Sequence, residues 1–423
     1  MQASLFRPRA RAIRRLVMIV AGAGVLLALC LRGLGDYESG FPPLGSTDFV
    51  QYWSAARLLV GGGNPYDPAT LFSMEQSVGW PQPEPLLMWN PPYVLALVLP
   101  VAYLPFNLAT LAWLSLQFGL ILGSGVLLWR YFAPDDGRYW IGLLAGLAFV
   151  PALFSLRLGQ ISPWLLVGVV GFLWAEHSRR DFLAGSALAL LMIKPQVTYL
   201  FLLAALWWAW RDRRWRVLAG GLGAMLAASG LVFLVSPGIV ANYLAAAARP
   251  PLYWLPPTVG TWLRLLFRPA PSWLQFLPSV VGLLGLVVWL WKRRGPWSWR
   301  SVTGPLLLAS SLTTSYGWTF DQIILLPVVV DLISRLRWVS RRRRFAVLGA
   351  LALFQVALLL QNHYHIGDEY SVWHGFGLAA LYFWVAANQR GAERTTSLEA
   401  NSHRDTILDS NRGYRRWGQR LRP

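Results

Sequence analysis

Long apolar stretches recur along this chain, and short arginine-rich clusters separate them. Of the 423 residues, 55% are hydrophobic and 13% are charged, whereas soluble domains carry about 25% charged residues. About 20 apolar residues are enough to cross the hydrocarbon layer of a membrane. The sequence therefore predicts an all-α helical bundle with about 12 membrane spans. The candidate spans are 16–32, 108–130, 139–156, 161–176, 182–194, 196–210, 216–235, 276–291, 302–315, 320–334, 345–361 and 372–388.

The positive charge of the chain is distributed in a way that indicates its orientation. The formal net charge is +19, which alone would also suit a nucleic-acid-binding protein. The basic residues, however, form short clusters between apolar stretches, as the positive-inside rule predicts for cytoplasmic loops. We therefore expect a membrane partner and no nucleic acid. The clusters lie at 7–15, 179–180, 211–216, 292–294 and 335–344.

The arginines near the N-terminus place residue 1 inside, so the acidic segment 33–92 forms an outer loop. The apolar segment 93–105 is short and contains two prolines, so we interpret it as re-entrant or interfacial; the alternative is that it crosses and another segment does not. A second outer loop is expected at 236–275. Residues 1–389 then form one membrane domain, and 390–423 form a polar, loosely ordered cytosolic tail.

Several kinds of chemistry find no support in the sequence. Cys30 is the only cysteine, so no intrachain disulfide can form. The glycines at 61–63 lack the lysine of a phosphate-binding loop, so the sequence does not support a nucleotide-binding site there. The histidines and carboxylates of 363–374 could suggest a metal site, but their spacing fits an exposed outer loop better. We expect no metal and no cofactor.

A carboxylate follows the first predicted span, at the mouth of an apolar bundle. Because a charge is costly there, Asp48 is a functional candidate by default. The alternative is that Asp48 caps an interfacial helix over 49–60, a position that aspartate favours.

Several short motifs occur in order along the chain. Asp-Phe-x-x-Tyr-x-x-Ala-Ala begins at Asp48 and is followed by Gly-Gly-Asn-Pro-Tyr-Asp; then come Trp-Asn-Pro-Pro-Tyr at 89–93, Gly159-Gln160, Lys194-Pro195 and a Thr-x-x-Thr-Trp-Leu-Arg-Leu stretch. Together they resemble the family 87 glycosyltransferases. The resemblance implies a GT-C-type membrane fold with helices on the outer face, a polyprenyl-phosphate-linked sugar as donor, inverting transfer, and Asp48 as the catalytic base.

The resemblance also implies a set of residues that bind the donor phosphate. Lys194 stands alone on the outer side between an apolar run and Pro195, which suggests an anionic ligand; the alternative is a lysine that snorkels to the interface. Arg264 carries a guanidinium suited to phosphate, or lies on the polar face of an interfacial helix. Arg157 is a further candidate for the same ligand.

The remaining candidates are polar residues on the same predicted face. Gln160 could bind sugar hydroxyls or cap a helix end. Tyr66 and Asp67 belong to a predicted turn and could line the site. Asp321 opens a span on the outer side; family members tend to have His after this Asp, and this chain has Gln322.

The sequence thus predicts an enzyme in the plasma (inner) membrane with its site on the outer, periplasmic face. The resemblance implies that it moves a hexose such as mannose to a lipid or glycan acceptor. The alternative is a transporter or lipid-handling protein in which Asp48, Lys194 and Asp321 line a substrate path.

Overall fold

The computed structural model describes residues 44–248, 253–267, 269–293 and 295–389. Throughout these residues the regular structure is helical and no strand occurs, as the sequence predicted. The predicted first span at 16–32 and the predicted tail at 390–423 lie outside the described residues.

The α-helices follow one another with short connections, and several are preceded or followed by a 3₁₀ turn. They are α1 Phe49–Val60, α2 Pro68–Ser77, α3 Leu95–Ala102, α4 Phe106–Phe132, α5 Trp140–Ala148, α6 Val150–Leu158, α7 Pro163–His177, α8 Asp181–Ala189, α9 Pro195–Arg211, α10 Trp215–Val235, α11 Ile239–Ala247, α12 Val259–Leu266, α13 Leu277–Lys292, α14 Trp299–Thr313, α15 Leu326–Arg335, α16 Arg341–His363 and α17 372–389. The 3₁₀ turns are Pro92–Val94, Leu190–Ile193, Ser272–Gln275, Thr319–Leu325, Leu336–Trp338 and Asp368–Ser371.

Three of the described helices are long and apolar enough to cross a membrane, namely α4, α10 and α16. The pair α5 and α6 makes a fourth if the bend between them is counted as part of one span. Other predicted spans correspond to helices that are shorter than these three: α7 has 15 residues and α13 has 16. The count of about 12 spans therefore stays a prediction.

The segment predicted to be re-entrant forms the 3₁₀ turn Pro92–Val94 and α3. Their 11 residues would extend about 16 Å as an α-helix, roughly half the hydrocarbon thickness. This segment is thus too short to cross by itself.

The predicted span at 139–156 is not one straight helix. The chain breaks at Phe149, which has φ −84° and ψ 104°, and α5 and α6 meet at a bend of 64°. Pro151 follows the break and cannot donate a backbone hydrogen bond. The amide of Val150 is satisfied instead by Gln355 Oε1 on α16, at 2.8 Å. The bend aims α6 at the polar residues described below.

The outermost helices expose apolar side chains that a lipid bilayer would cover. On α10, Leu222, Leu226 and Leu234 are 62%, 63% and 83% exposed, and an exposed apolar surface of this kind is expected where a helix faces lipid. The buried face of α10 packs closely on α8, where a side chain at Gly185 would collide with the Val217 carbonyl. Small residues permit this close approach between helices, as is typical of membrane bundles.

Helix α1 lies against α4 through aromatic side chains. The Phe49 ring stacks on that of Trp113 with centroids 5.3 Å apart, and on that of Phe106 at 6.2 Å. Phe49 and Trp113 are fully buried. This packing holds the start of α1, and with it Asp48, against the middle of the bundle.

Candidate active site

Asp48 immediately precedes α1, but its carboxylate does not cap that helix. Its Oδ2 instead accepts a hydrogen bond from Gln160 Nε2 at 2.6 Å. The backbone amide of Asp48 donates to the Leu158 carbonyl at 2.7 Å, and that of Gly45 donates to the Arg157 carbonyl at 2.7 Å. The backbone that leads into α1 is therefore hydrogen-bonded to the end of α6. The alternative that the Asp48 side chain caps α1 is wrong, because this side chain makes no capping hydrogen bond.

Gln160 is positioned by the way α6 ends. Gly159 has φ +73°, a left-handed conformation that glycine adopts without strain. The amides of Gly159 and Gln160 donate to the carbonyls of Leu156 and Ser155, which is the Schellman pattern of a helix C-terminus. Here the backbone of Gln160, not its side chain, belongs to the cap.

The carbonyls beyond this cap are bonded to α4. Trp113 Nε1 donates to the Gly159 carbonyl at 2.9 Å, and Gln117 Nε2 donates to the Gln160 carbonyl at 2.9 Å. Because the backbone is held on both sides, the Gln160 side chain points into the site.

The Gln160 amide connects three functional groups. Its nitrogen donates to Asp48, and its oxygen accepts from Tyr52 Oη and from Lys194 Nζ, each at 3.1 Å. Since the carboxylate only accepts and the lysine only donates, this is the one amide orientation that satisfies every partner. Tyr52 is 1% exposed; sequence reasoning missed its role, although its position four residues after Asp48 places both on one helix face.

Lys194 lies in the break between the 3₁₀ turn Leu190–Ile193 and α9. Its Nζ donates to Asp321 Oδ1 at 2.8 Å and lies 4.8 Å from the centroid of the Phe320 ring. Lys194 was singled out as a lone lysine on the predicted outer side, and its role in binding phosphate stays a prediction. The structure adds that Asp321 is its direct ionic partner.

The backbone around Lys194 is held by the Trp-Asn-Pro-Pro-Tyr motif. Tyr93 Oη donates to the Met192 carbonyl at 2.5 Å, and Asn90 Nδ2 donates to the Ile193 carbonyl at 3.2 Å. A helix that ends before a proline leaves such carbonyls without backbone donors. The motif thus supports the segment that presents Lys194.

Asp321 is almost fully buried, with 3% of its side chain exposed, while Lys194 keeps 13%. Its Oδ1 also accepts from Ser162 Oγ at 2.5 Å, and its Oδ2 accepts from the Trp318 amide at 3.0 Å. Ser162, two residues after Gln160, is a second residue that sequence reasoning missed. The buried ion pair is fully hydrogen-bonded, as such pairs must be to be tolerated.

The environment of Asp48 changes its acidity. Asp48 lies outside the candidate spans, and burial raises the pKa of its carboxyl from 3.8 to about 6. The Gln160 hydrogen bond and the charge of Lys194 act in the opposite direction, and the charge of Asp321 raises the pKa further. A carboxylate with a pKa near neutrality is well suited to accept a proton.

Arg264 does not join this cluster. Its Nη1 donates to Gln275 Oε1 at 2.9 Å and to the Trp254 carbonyl at 3.3 Å. Gln275 in turn donates to the Ser315 carbonyl. Arg264 is therefore held beside Trp254.

Trp254 belongs to a row of partly exposed rings. The centroids of Trp89 and Trp254 are 5.9 Å apart, those of Trp254 and Trp318 are 5.8 Å apart, and those of Trp318 and Phe320 are 6.4 Å apart. This aromatic row leads from the Arg264 region to the ring beneath Lys194.

Tyr66 and Asp67 have supporting contacts. Tyr66 is buried and donates from Oη to the Asn90 carbonyl at 2.9 Å. Asp67 Oδ2 accepts from the Thr70 amide at 2.9 Å and caps α2. Their predicted part in substrate binding stays a prediction.

Arg157 lies at the C-terminal end of α6. Its Nη1 donates to Asn362 Oδ1 at 3.2 Å. Both side chains line a cavity of about 360 Å³ whose wall also includes Trp318, Phe320 and Asp368. Within the described residues, no group of three or more His, Cys, Asp or Glu side chains is placed to hold a metal ion.

Fold and site together define a helical membrane protein with a buried acid–base cluster beside an aromatic-lined cavity. The sequence model of glycosyltransferase family 87 matches residues 89–361, and the chain belongs to that family. The match includes Gln160, Lys194 and Asp321 and begins after Asp48. No curated protein is similar enough to the chain to count as a match.

Proposed function

We propose that this glycosyltransferase moves a hexosyl residue, such as mannosyl, from a polyprenyl-phosphate donor to a lipid or glycan acceptor. Transfer would occur at the outer face of the plasma membrane with inversion of the anomeric configuration. The observation that carries the proposal is the cluster in which one amide, that of Gln160, contacts both Asp48 and Lys194.

Asp48 acts as the general base. The acceptor hydroxyl attacks the anomeric carbon of the donor sugar, and its proton passes to the Asp48 carboxylate. The new bond joins this carbon to the acceptor oxygen, while the bond to the phosphate oxygen breaks and its electron pair leaves with the phosphate. No second acid is required, because the departing phosphate is already a good leaving group, unlike the alkoxide of a glycoside.

Lys194 stabilises the negative charge that develops on the departing phosphate. Its bond to Asp321 holds the ammonium in place, and its 13% exposed side chain leaves it reachable from outside the cluster. A phosphate bound beside Lys194 would add negative charge near Asp48 and so raise the proton affinity of this carboxylate. Donor binding would thereby strengthen the base.

The two arginines are assigned secondary parts. Arg264, next to Trp254, would contact the donor phosphate from the side of the aromatic row, since a guanidinium can bind two phosphate oxygens at once. Arg157, whose Nη1 donates to Asn362, would be a further contact for the same phosphate. Tyr66 and Asp67 would complete the surroundings of the donor.

The placement on the outer face is supported by the course of two helices. α16 begins with Arg341 to Arg344 and ends near Asn362, at the cavity; its 23 residues correspond to roughly 35 Å. α9 begins beside Lys194 and ends at Arg211. In both helices the arginine end lies away from the site, which agrees with an arginine-rich cytoplasmic side.

The test is donor consumption by the purified protein. Radiolabelled polyprenyl-phosphate sugars are incubated with the protein and a membrane lipid extract, and the label is followed into a new product whose anomeric configuration is determined. Transfer with inversion supports the proposal. Movement of a substrate across proteoliposomes with no lipid-linked sugar consumed would instead identify a transporter.

A further inference from the structure

A group of tryptophan side chains lies at the end of α9 that is remote from Lys194. Its centre is Trp297, in the connection between α13 and α14. The centroid of the Trp297 ring is 5.7 Å from that of Trp207 on α9 and 5.6 Å from that of Trp289 on α13. The 17 residues of α9 correspond to roughly 25 Å of helix, so these rings are separate from the candidate active site.

Two guanidinium groups lie over these rings. Arg211 Cζ is 4.6 Å from the centroid of Trp207 and 5.6 Å from that of Trp297. Arg293 Cζ is 4.9 Å from the centroids of both Trp289 and Trp297. The three tryptophans and two arginines form the Trp–Arg cluster. Burial and then the charge of Arg211 lower the pKa of Arg293, since like charges in one cluster repel each other.

Only one of the two arginines is paired with an acidic residue. Arg211 donates from Nε and Nη2 to the Asp212 carboxylate at 2.7 and 3.2 Å. In the described part of the chain, Arg293 forms no ion pair, and its Nη2 donates to the Pro296 carbonyl at 3.1 Å. The Trp–Arg cluster therefore keeps a net positive charge.

Hydrogen-bond donors outnumber acceptors at the same place. Among the described residues, Arg293 Nε, Trp297 Nε1 and Trp299 Nε1 are buried and have no hydrogen-bond acceptor. The rings of Trp297 and Trp299 are 5.1 Å apart. Buried polar groups are normally paired, and each of these three groups can only donate. A ligand that satisfies them must supply acceptors, and the positive charge selects an anion.

The surface next to the Trp–Arg cluster indicates that this anion is part of a lipid. Helix α13 exposes Leu284, Val287, Val288 and Trp291, which lie on one helix face because their spacing is three or four residues. This apolar face leads along α13 to Arg293. Acyl chains would cover it, whereas a free phosphate would leave it uncovered. A choline headgroup fits less well, because guanidinium groups already cover the ring faces that attract such a cation.

We propose that the Trp–Arg cluster binds the phosphodiester headgroup of an anionic phospholipid on the predicted cytoplasmic side. Basic pockets between membrane helices on that side bind lipid headgroups in this way. A guanidinium donates to two oxygens of one phosphate, so Arg211 and Arg293 share one anion instead of repelling each other. The bound lipid joins the ends of α9 and α13 and stabilises the folded protein.

The test measures lipid retention by the full-length, delipidated protein in detergent, with native mass spectrometry as the readout. Phosphatidylglycerol and phosphatidylcholine with identical acyl chains are titrated separately. Tighter binding of phosphatidylglycerol, together with a higher midpoint of thermal denaturation, supports the proposal. Equal affinity for the two lipids overturns it. An equal rise of the midpoint with inorganic phosphate alone would identify a free-phosphate site and overturn the assignment to a lipid.

Variants connect this binding to the Trp–Arg cluster. Arg293→Met should weaken phosphatidylglycerol binding about tenfold, as expected for loss of a charge-assisted hydrogen bond, and leave phosphatidylcholine binding unchanged. Arg293→Lys keeps the charge without the planar fork and should lie between the two. Lys292→Met is the matched control, since Lys292 is adjacent and exposed, and it should bind as the unmodified protein does. Unchanged affinity in a folded Arg293→Met variant contradicts the proposal.

A second measurement needs no variant. Phosphatidylglycerol with a diazirine in its headgroup is photo-crosslinked to the unmodified protein, and the adducts are mapped by mass spectrometry. Adducts in 207–212 or 287–299 support the proposal, and adducts confined to other segments refute it. Neither measurement requires turnover, so a protein that consumes donor but does not prefer phosphatidylglycerol would refute the lipid site and leave the proposed function intact.

Discussion

Gln160 donates a hydrogen bond of 2.6 Å to Asp48 across 112 residues of sequence. The same amide accepts from Lys194, so the proposed base and the proposed phosphate-binding lysine share one neighbour. Proton uptake at Asp48 and charge at Lys194 are therefore coupled through space, and the variants below are chosen to separate them.

Replacing Asp48 with Asn removes the proton acceptor and keeps the shape of the side chain. We expect turnover to fall by ~10²-fold or more, the usual contribution of a general base, with donor binding retained or tighter, because a negative charge near the phosphate is removed. The variant should be at least as stable as the unmodified protein, because a carboxylate disfavoured by burial is replaced by a neutral amide. Asp135→Asn, at an exposed position, is the matched control. Near-normal turnover in Asp48→Asn would remove this residue from the mechanism.

The activity should depend on pH through Asp48. Its pKa is raised to about 6, and the base must be deprotonated to act. The value of kcat/KM should therefore fall about tenfold per pH unit below 6 and level off above it. Because the Gln160 hydrogen bond lowers this pKa, Gln160→Met should move the midpoint to higher pH. A midpoint that stays in place would show that another group is being titrated.

Lys194 should act as a point charge, so Lys194→Arg should keep part of the activity and Lys194→Met very little. The Met variant also leaves Asp321 as an unpaired buried charge, which typically costs about 3–5 kcal/mol. The double variant Lys194→Met/Asp321→Asn removes that charge and should recover thermal stability but not donor consumption. Recovery of both would reduce the lysine to a structural role.

The outer location of the site can be examined by thiol labelling in intact cells. With Cys30 replaced by Ala, cysteines at Thr70 and Tyr253 should react with an impermeant reagent, because both positions are exposed and lie in predicted outer segments. A cysteine at Arg343, in the arginine-rich start of α16, should react only after permeabilisation. Labelling of this last position from outside would reverse the assigned orientation.

Much of the local structure could be predicted from the sequence. Apolar content and arginine clusters indicated a helical membrane protein, and the Lys-Pro pair indicated the helix break at Lys194. These features follow from residue hydropathy and backbone sterics, which act over a few neighbouring residues. The bend within 139–156 was missed, because a stretch of apolar residues looks the same whether the helix is straight or broken and repaired by Gln355.

The sequence by itself determined the residue types of the site and their order along the chain, including Asp48, Gln160 and Lys194. Only the tertiary structure decided that Lys194 pairs with Asp321, 127 residues away, and that Arg157 meets Asn362 at a cavity. Such partnerships depend on which helix faces meet when polar groups leave water and must each find a partner. No local pattern encodes that choice, because it is made by the packing of the whole bundle.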